Sequence, residues 1–181
     1  LKERYPELHL KAFTATEIDH FTKLARKDVR GVLQDLREAG LDSLPGGGAE
    51  IFADRVWNQV CSGKARPERW LEVHRTWHQL GGRSTATMLY GHIETAEERV
   101  DHMLRIRALQ DETGGFTAFI PLAFQVDNNR MSGLPKPTAQ TDIKVHAVAR
   151  LLLDNIDHIK AYWVMTGLNT AQILLSYGAD D

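Results

Sequence analysis

Two spacings of apolar positions take turns along this 181-residue chain. In "TAEERVDHMLRIRALQDETGG" (95–115), Val100, Met103, Leu104 and Leu109 recur at the spacing of one helix face. Thr95 and Glu98 form a capping box, Asp101 and Arg105 an i,i+4 pair, and Gly114–Gly115 stop the helix. Helices are likewise predicted at 28–40, closed by Gly40, and at 67–81, with Pro67 in its first turn and Gly81 past its end. Two more follow, at about 139–153 on Ile143, Val148, Leu151 and Leu152, and at 169–178. Between them, "HLKAFTA" (9–15), "LDSLP" (41–45), "RSTATMLYG" (83–91), "FTAFIPLAF" (116–124) and "HIKAYWVM" (158–165) read as strands. The near-continuous apolar run of 116–124 suits a strand covered on both faces of a parallel sheet.

Alternating strands and helices with short connections predict an α/β fold with a parallel sheet, one domain over 1–181. An open doubly wound sheet and part of a (β/α)8 barrel both satisfy the pattern; a complete barrel typically takes about 250 residues. In either, chemistry gathers beyond the carboxyl ends of the strands. Here that means 14–17, 45–50, 90–94, 121–125 and 165–167.

Composition narrows the function classes. Lys and Arg total 22 against 24 Asp and Glu, a net charge of -2, and no basic block stands out, so nucleic-acid and membrane-surface roles lack electrostatic support. Cys61 is the single cysteine; it allows no internal disulfide and supplies no zinc or iron–sulfur site alone. The longest apolar stretch, 116–124, is too short for a span of about 20 residues. A cytoplasmic protein is expected, and a first residue other than Met hints at processing or a fragment.

Three consecutive glycines, Gly46, Gly47 and Gly48, are the first candidate site. They follow a predicted strand and precede a helix expected from Ala49–Glu50. Bare amides at a helix N-terminus bind anions, and glycine lets a bulky ligand approach the backbone. The competing reading is a tight turn without a ligand. The run is neither a P-loop nor GxGxxG. In "YGHIET" (90–95), Tyr90, His92 and Glu94 follow a strand, and His92 could act as acid or base or simply pack in the loop. Glu17 could bind a ribose or an ammonium, or be a solvated loop acid. His74 and His78 have the i,i+4 spacing of metal ligands, but without HExxH they read as packing and surface residues. Lys11, Arg83 and Lys160 fall at or before the middle of their predicted strands, away from the chemical end. An acidic substrate would then rely on backbone donors.

At "GLDSLPGGGAEIF", "TMLYGHIETAEERVDHMLRIRALQDETGGFTAFIPLAF" and "DNIDHIKAYWVM", the chain resembles the aminofutalosine synthases, radical S-adenosylmethionine enzymes of the futalosine route to menaquinone. The likeness runs nearly end to end. The dehypoxanthine futalosine cyclase shares PGGGAE and a GFTAFIP-like strand, but Leu122 after Pro121 and the "HIKAYWVM" block favour the synthase. The resemblance implies a (β/α)8 barrel and a [4Fe–4S] cluster that cleaves S-adenosylmethionine reductively, with an electron donor. The 5'-deoxyadenosyl radical then adds to 3-[(1-carboxyvinyl)oxy]benzoate, giving aminofutalosine and bicarbonate.

The family's CxxxCxxC motif is absent, and Cys61 cannot replace it. The chain therefore reads as barrel strands four to eight of a longer enzyme. Alone it is expected to bind no cluster, to be inactive and to self-associate through open barrel edges. An inactive half-barrel that needs its missing half is the alternative from another class. On this reading Gly46, Gly47, Gly48, Thr14, Glu17, Thr87 and Tyr90 contact S-adenosylmethionine or the benzoate. His92 is the first candidate acid/base and Glu50 the second, and no metal ligand is expected within the chain.

Overall fold

The computed structural model describes residues 1–181: an α/β fold with helices around one four-stranded parallel sheet of order β1-β2-β3-β4. In chain order the elements are α1 (Ala15–Ala25), α2 (Val29–Glu38), β1 (Ser43–Leu44), α3 (Asp54–Val60), α4 (Pro67–Gln79) and β2 (Arg83–Tyr90). They continue with α5 (Ala96–Thr113), β3 (Phe116–Ala123), α6 (Ala139–Leu152), β4 (His158–Ile159), α7 (Trp163–Thr166) and α8 (Leu168–Leu174).

β2 and β3 form the body of the sheet, paired from Ser84↔Phe116 to Tyr90↔Ala123. A register slip between Ser84 and Thr85 skips Thr117. Successive side chains on a strand point to opposite faces, so the register fixes two surfaces. Ser84, Ala86, Met88 and Tyr90 face the helices. Ser84 Oγ lies 2.9 Å from His74 Nδ1 and 2.7 Å from His78 Nε2 on α4. Thr85, Thr87 and Leu89, with Ala118, Ile120 and Leu122 beside them, form the opposite face. Ile120 and Leu122 there stay half-buried, whereas Met88 and Phe119 on the helix side are sealed. The main core lies on the helix side and holds Trp70, Trp77, Phe52, Phe116 and Ile106.

The structure corrects three expected elements. Residues 9–15 are not a strand: only Lys11 bridges to Ser43, and the chain leaves at Phe13 (φ 62) into the N-cap Thr14 of α1. The run 158–165 pairs only over His158–Ile159; the Tyr162 carbonyl then accepts the amides of Met165 and Thr166, turning the chain into α7. The helix expected from Ala49–Glu50 starts at Asp54. Glu50 sits at φ 41, a left-handed conformation no α-helix accepts, and its carbonyl takes the Leu89 amide at 3.0 Å. Residues 46–50 thus follow β2 irregularly instead of coiling.

Candidate functional site

The glycine segment sits against β2, and its three residues have three different reasons. Gly46 donates its amide to Thr85 Oγ1 (3.0 Å) and accepts from Thr87 Oγ1 (2.7 Å). A Cβ on Gly46 would lie 2.5 Å from the Thr85 carbonyl oxygen, so it is the neighbouring strand that forbids a side chain. Gly48 has φ +87, a region glycine enters without strain. Gly47 is different: a Cβ there would meet only Thr14 Cγ2 at 3.4 Å, an ordinary contact. The Gly47 carbonyl accepts from Trp70 Nε1 (3.3 Å), while the amides of Gly47 and Gly48 have no hydrogen-bond partner in the chain. α3 starts only at Asp54, so the helix beside these glycines is α1, whose N-cap Thr14 and first-turn Thr16 face Gly47 and Gly48. What remains is a pair of free donors beyond the carboxyl end of β1.

Around this cradle stand some of the expected residues. Thr14 reaches Gly47 as described, and Thr87 lies on the helix-free face beneath it. Glu17 is the N3 partner of Thr14 in a capping box: its carboxylate accepts from the Thr14 amide (2.7 Å) and hydroxyl (2.9 Å). Glu50 ion-pairs with Lys64. Tyr90 does not join them. Its ring is fully buried on the helix side, its hydroxyl donates to Asp142 Oδ1 on α6 (2.7 Å), and burial raises both groups above their ordinary pKa values. Tyr90 therefore lines no cavity with Thr87; the two are on opposite faces.

The loop after β2 is organised by its own side chains. Glu94 accepts the amides of Gly91 (2.6 Å) and His92 (2.9 Å). The His92 ring is sealed. Its Nδ1 accepts the Ile93 amide (2.7 Å) and its Nε2 faces the Leu89 carbonyl (3.0 Å), so the neutral Nε2–H tautomer satisfies both. Burial pulls its pKa down, against an opposing pull from Glu94. Both nitrogens are occupied, which leaves His92 without a free lone pair for a ligand.

Two buried histidines carry more of the architecture than the sequence suggests. His102 on α5 accepts the Phe52 amide (3.2 Å) and faces the Thr87 carbonyl (2.9 Å), joining the glycine-rich connection to β2; burial drops its pKa to about 3. His78 bridges Thr113 and Ser84 and is pushed down to about 4, again by burial first. The only signal for them in the sequence was their place on helix faces, which does not distinguish a bridge from packing. His74 and His78 both hydrogen-bond to Ser84 Oγ and are both buried, so they have the expected packing role and not the expected surface one. No group of three or more His, Cys, Asp or Glu is disposed to hold a metal ion. Cys61 is buried, and burial, then Glu50, push its thiol up to about 11. A lone thiol that resists ionisation does not fit an iron–sulfur cluster. No helix is long and apolar enough to cross a membrane.

Comparison with known proteins supplies what geometry alone does not. Residues 113–181 match the family described as "CofH/MqnC C-terminal region". The chain is 56% identical to the aminodeoxyfutalosine synthase of Thermus thermophilus, over all of this chain and 50% of that protein. With the Streptomyces coelicolor aminodeoxyfutalosine synthase the identity is 47%, over all of this chain and 49% of that one. With the cyclic dehypoxanthine futalosine synthase of Streptomyces coelicolor it is 40%, over 100% of the chain and 45% of that protein. Along its whole length the chain is thus similar to proteins named aminodeoxyfutalosine synthase and cyclic dehypoxanthine futalosine synthase, and it spans about half the length of those it matches.

Proposed function

We propose that this chain is the substrate-facing part of an aminofutalosine synthase. The parent enzyme joins the 5'-deoxyadenosyl group of S-adenosylmethionine to 3-[(1-carboxyvinyl)oxy]benzoate in menaquinone biosynthesis, with bicarbonate as the other product. The four strands, with the single bridge at Lys11 in the place of a fifth, are then the later part, strands four to eight, of a (β/α)8 barrel. Nothing in these residues fits the [4Fe–4S] cluster that such enzymes use, so radical generation is assigned to no residue of this chain.

The observation that carries the reading is the cradle at Gly47–Gly48. Two unpartnered amides sit beyond the carboxyl end of a parallel strand, beside an open Cβ direction, in a chain 56% identical to a synthase. In that place Gly47, Gly48, Thr14 and Thr87 meet the nucleoside or a substrate carboxylate. Gly46 and Glu17 hold the frame. Glu50 is the better acid/base of the two candidates, because both His92 nitrogens are already engaged. His92 and Tyr90 act by positioning the end of β2.

The test is an anaerobic assay of the parent enzyme with S-adenosylmethionine, a reductant and the enol-ether benzoate. Aminofutalosine is the expected product by mass spectrometry. Conversion of dehypoxanthine futalosine to its cyclic product, with no aminofutalosine formed, would reassign the parent to the cyclase.

A further inference from the structure

α5 and α6 each follow one of two neighbouring parallel strands, so they return along the sheet side by side and in the same direction. Their facing positions repeat at i, i+3, i+4 and i+7: Ala96, Arg99, Val100 and Met103 on α5, and Thr141, Lys144, Val145 and Val148 on α6. Packed interiors leave few voids larger than a water molecule. These two stripes instead enclose a cleft of about 350 Å³. Met103 and Val145 are buried and form its floor; half-buried Val100 and Val148, which is 36% exposed, form its walls.

Each helix also brings one cation to the cleft, and no acidic side chain lines it. Lys144 is exposed and makes no ion pair or hydrogen bond within the chain. None of the Arg99 side-chain nitrogens donates a hydrogen bond. Its Nε is sealed from solvent 3.6 Å from Glu94 Oε1, which already takes the Gly91 amide at 2.6 Å. Polarity changes along the cleft: the cations lie towards the N-terminal ends of the helices, and Met103 and Val148 close the other end. β2 and β3 are the two central strands, so chain added at either edge of the sheet does not cover the groove between the helices that follow them.

We infer that the cleft between α5 and α6 binds an unbranched carboxylate of medium chain length. Arg99 and Lys144 hold the carboxylate, and the chain lies over Val100, Met103, Val145 and Val148. From Ala96 to Met103, and from Thr141 to Val148, the cleft runs seven residues, about 10 Å at roughly 1.5 Å per residue, which suits a molecule the length of decanoate. A partner helix, about 10–12 Å across, would fill far more than this volume over the same length. The inference does not depend on the reaction proposed for the parent enzyme.

The experiment titrates decanoate calorimetrically into the parent enzyme without S-adenosylmethionine or substrate, with decanol as the uncharged control and acetate as the tailless one. Saturable decanoate binding is expected, with decanol weaker and acetate silent. Arg99→Gln should weaken decanoate about tenfold, the loss of one charge-assisted hydrogen bond. Lys144→Gln should weaken it about threefold, since an exposed cation contributes less. Val148→Trp should fill the cleft and cost at least about tenfold, and neither Gln variant should alter decanol binding. Lys144 is exposed, so its variant keeps the test valid even if Arg99→Gln disturbs the loop at Glu94. Absence of saturable decanoate binding overturns the inference. Decanoate affinity unchanged in both Lys144→Gln and Val148→Trp places the molecule elsewhere and also overturns it. Decanol binding as tightly as decanoate removes the cations from the site and does the same. Self-association that Val148→Trp abolishes, with no decanoate bound, assigns the cleft to a second copy and overturns it too.

Discussion

At the scale of single residues, Gly46 and Gly47 are chemically identical and physically opposed. Gly46 is held against β2 by two threonine hydroxyls, and its missing Cβ is demanded by the Thr85 carbonyl 2.5 Å away. Relief of that clash would require the segment to lift off the strand and break both bonds. Overpacking of this kind costs about 1–3 kcal/mol. Gly47 has room for a methyl group beside Thr14 Cγ2, and its φ is not in the left-handed region. Gly46→Ala should therefore lower the denaturation midpoint clearly, whereas Gly47→Ala should stay within about 0.5 kcal/mol of the wild type. If Gly47 meets a ligand, its variant should lose substrate affinity with its stability intact. Equal midpoints for the two variants would show that the strand contact does not hold Gly46. The run of three glycines in the sequence pointed rightly to a close approach, but it could not separate approach by a ligand from approach by the chain's own next strand.

At the scale of elements, buried histidines join helices to strands, and their protonation sets how firmly. His78 links α4 to Ser84 at the start of β2 and to Thr113 at the end of α5. Burial holds His78 near 4 and His102 near 3 in the folded chain, against roughly 6.5 when unfolded. Below pH 6.5 the unfolded chain binds more protons than the folded one, so stability falls as pH falls towards those folded values. Each such histidine contributes a slope of about 1.4 kcal/mol per pH unit in that window. Asp142, raised by burial, works in the opposite direction. Urea unfolding between pH 6 and 4.5 should show a steep acid loss, and His78→Gln should remove about one histidine's share of the slope. An unaltered slope in that variant would mean that His78 is protonated in the folded state. Among the elements themselves, α4, α5, α6, β2 and β3 were legible because each carries enough turns or alternations to establish its period. α1 was not, although Thr14 and Glu17 form a capping box as clear as that of Thr95 and Glu98. The apolar run "HLKAFTA" masked it. β4 was overread because "HIKAYWVM" has strand composition throughout, while only two residues have a partner strand to pair with.

At the scale of the molecule, the helix side of the sheet is finished and the other surfaces are not. Trp163, Val164 and Leu168 on α7 and α8 are 60%, 58% and 61% exposed, and Ile173, Leu175 and Tyr177 continue the apolar surface. The ends of the sheet are no better covered. Beyond β1 only residues 10–12 bond to the sheet, and beyond β4 only Asp180 and Asp181. Short, unpaired edges beside exposed apolar side chains favour pairing with another chain. Each large apolar side chain removed from water is worth about 1.5–3 kcal/mol, so a few of them are enough to drive association at micromolar concentration. In the proposed barrel these surfaces meet the rest of the parent enzyme. The 181-residue chain by itself should therefore self-associate in a concentration-dependent way, read by size-exclusion chromatography with light scattering. Leu168→Lys combined with Val164→Lys should shift it towards the monomer, since two charges there remove apolar area and repel across a self-contact. Co-expression with the remainder of the parent should do the same without any substitution, by covering the surface instead of altering it. A chain that stays monomeric at high concentration, with these side chains still exposed, would show that neither edge nor apolar surface is an interface.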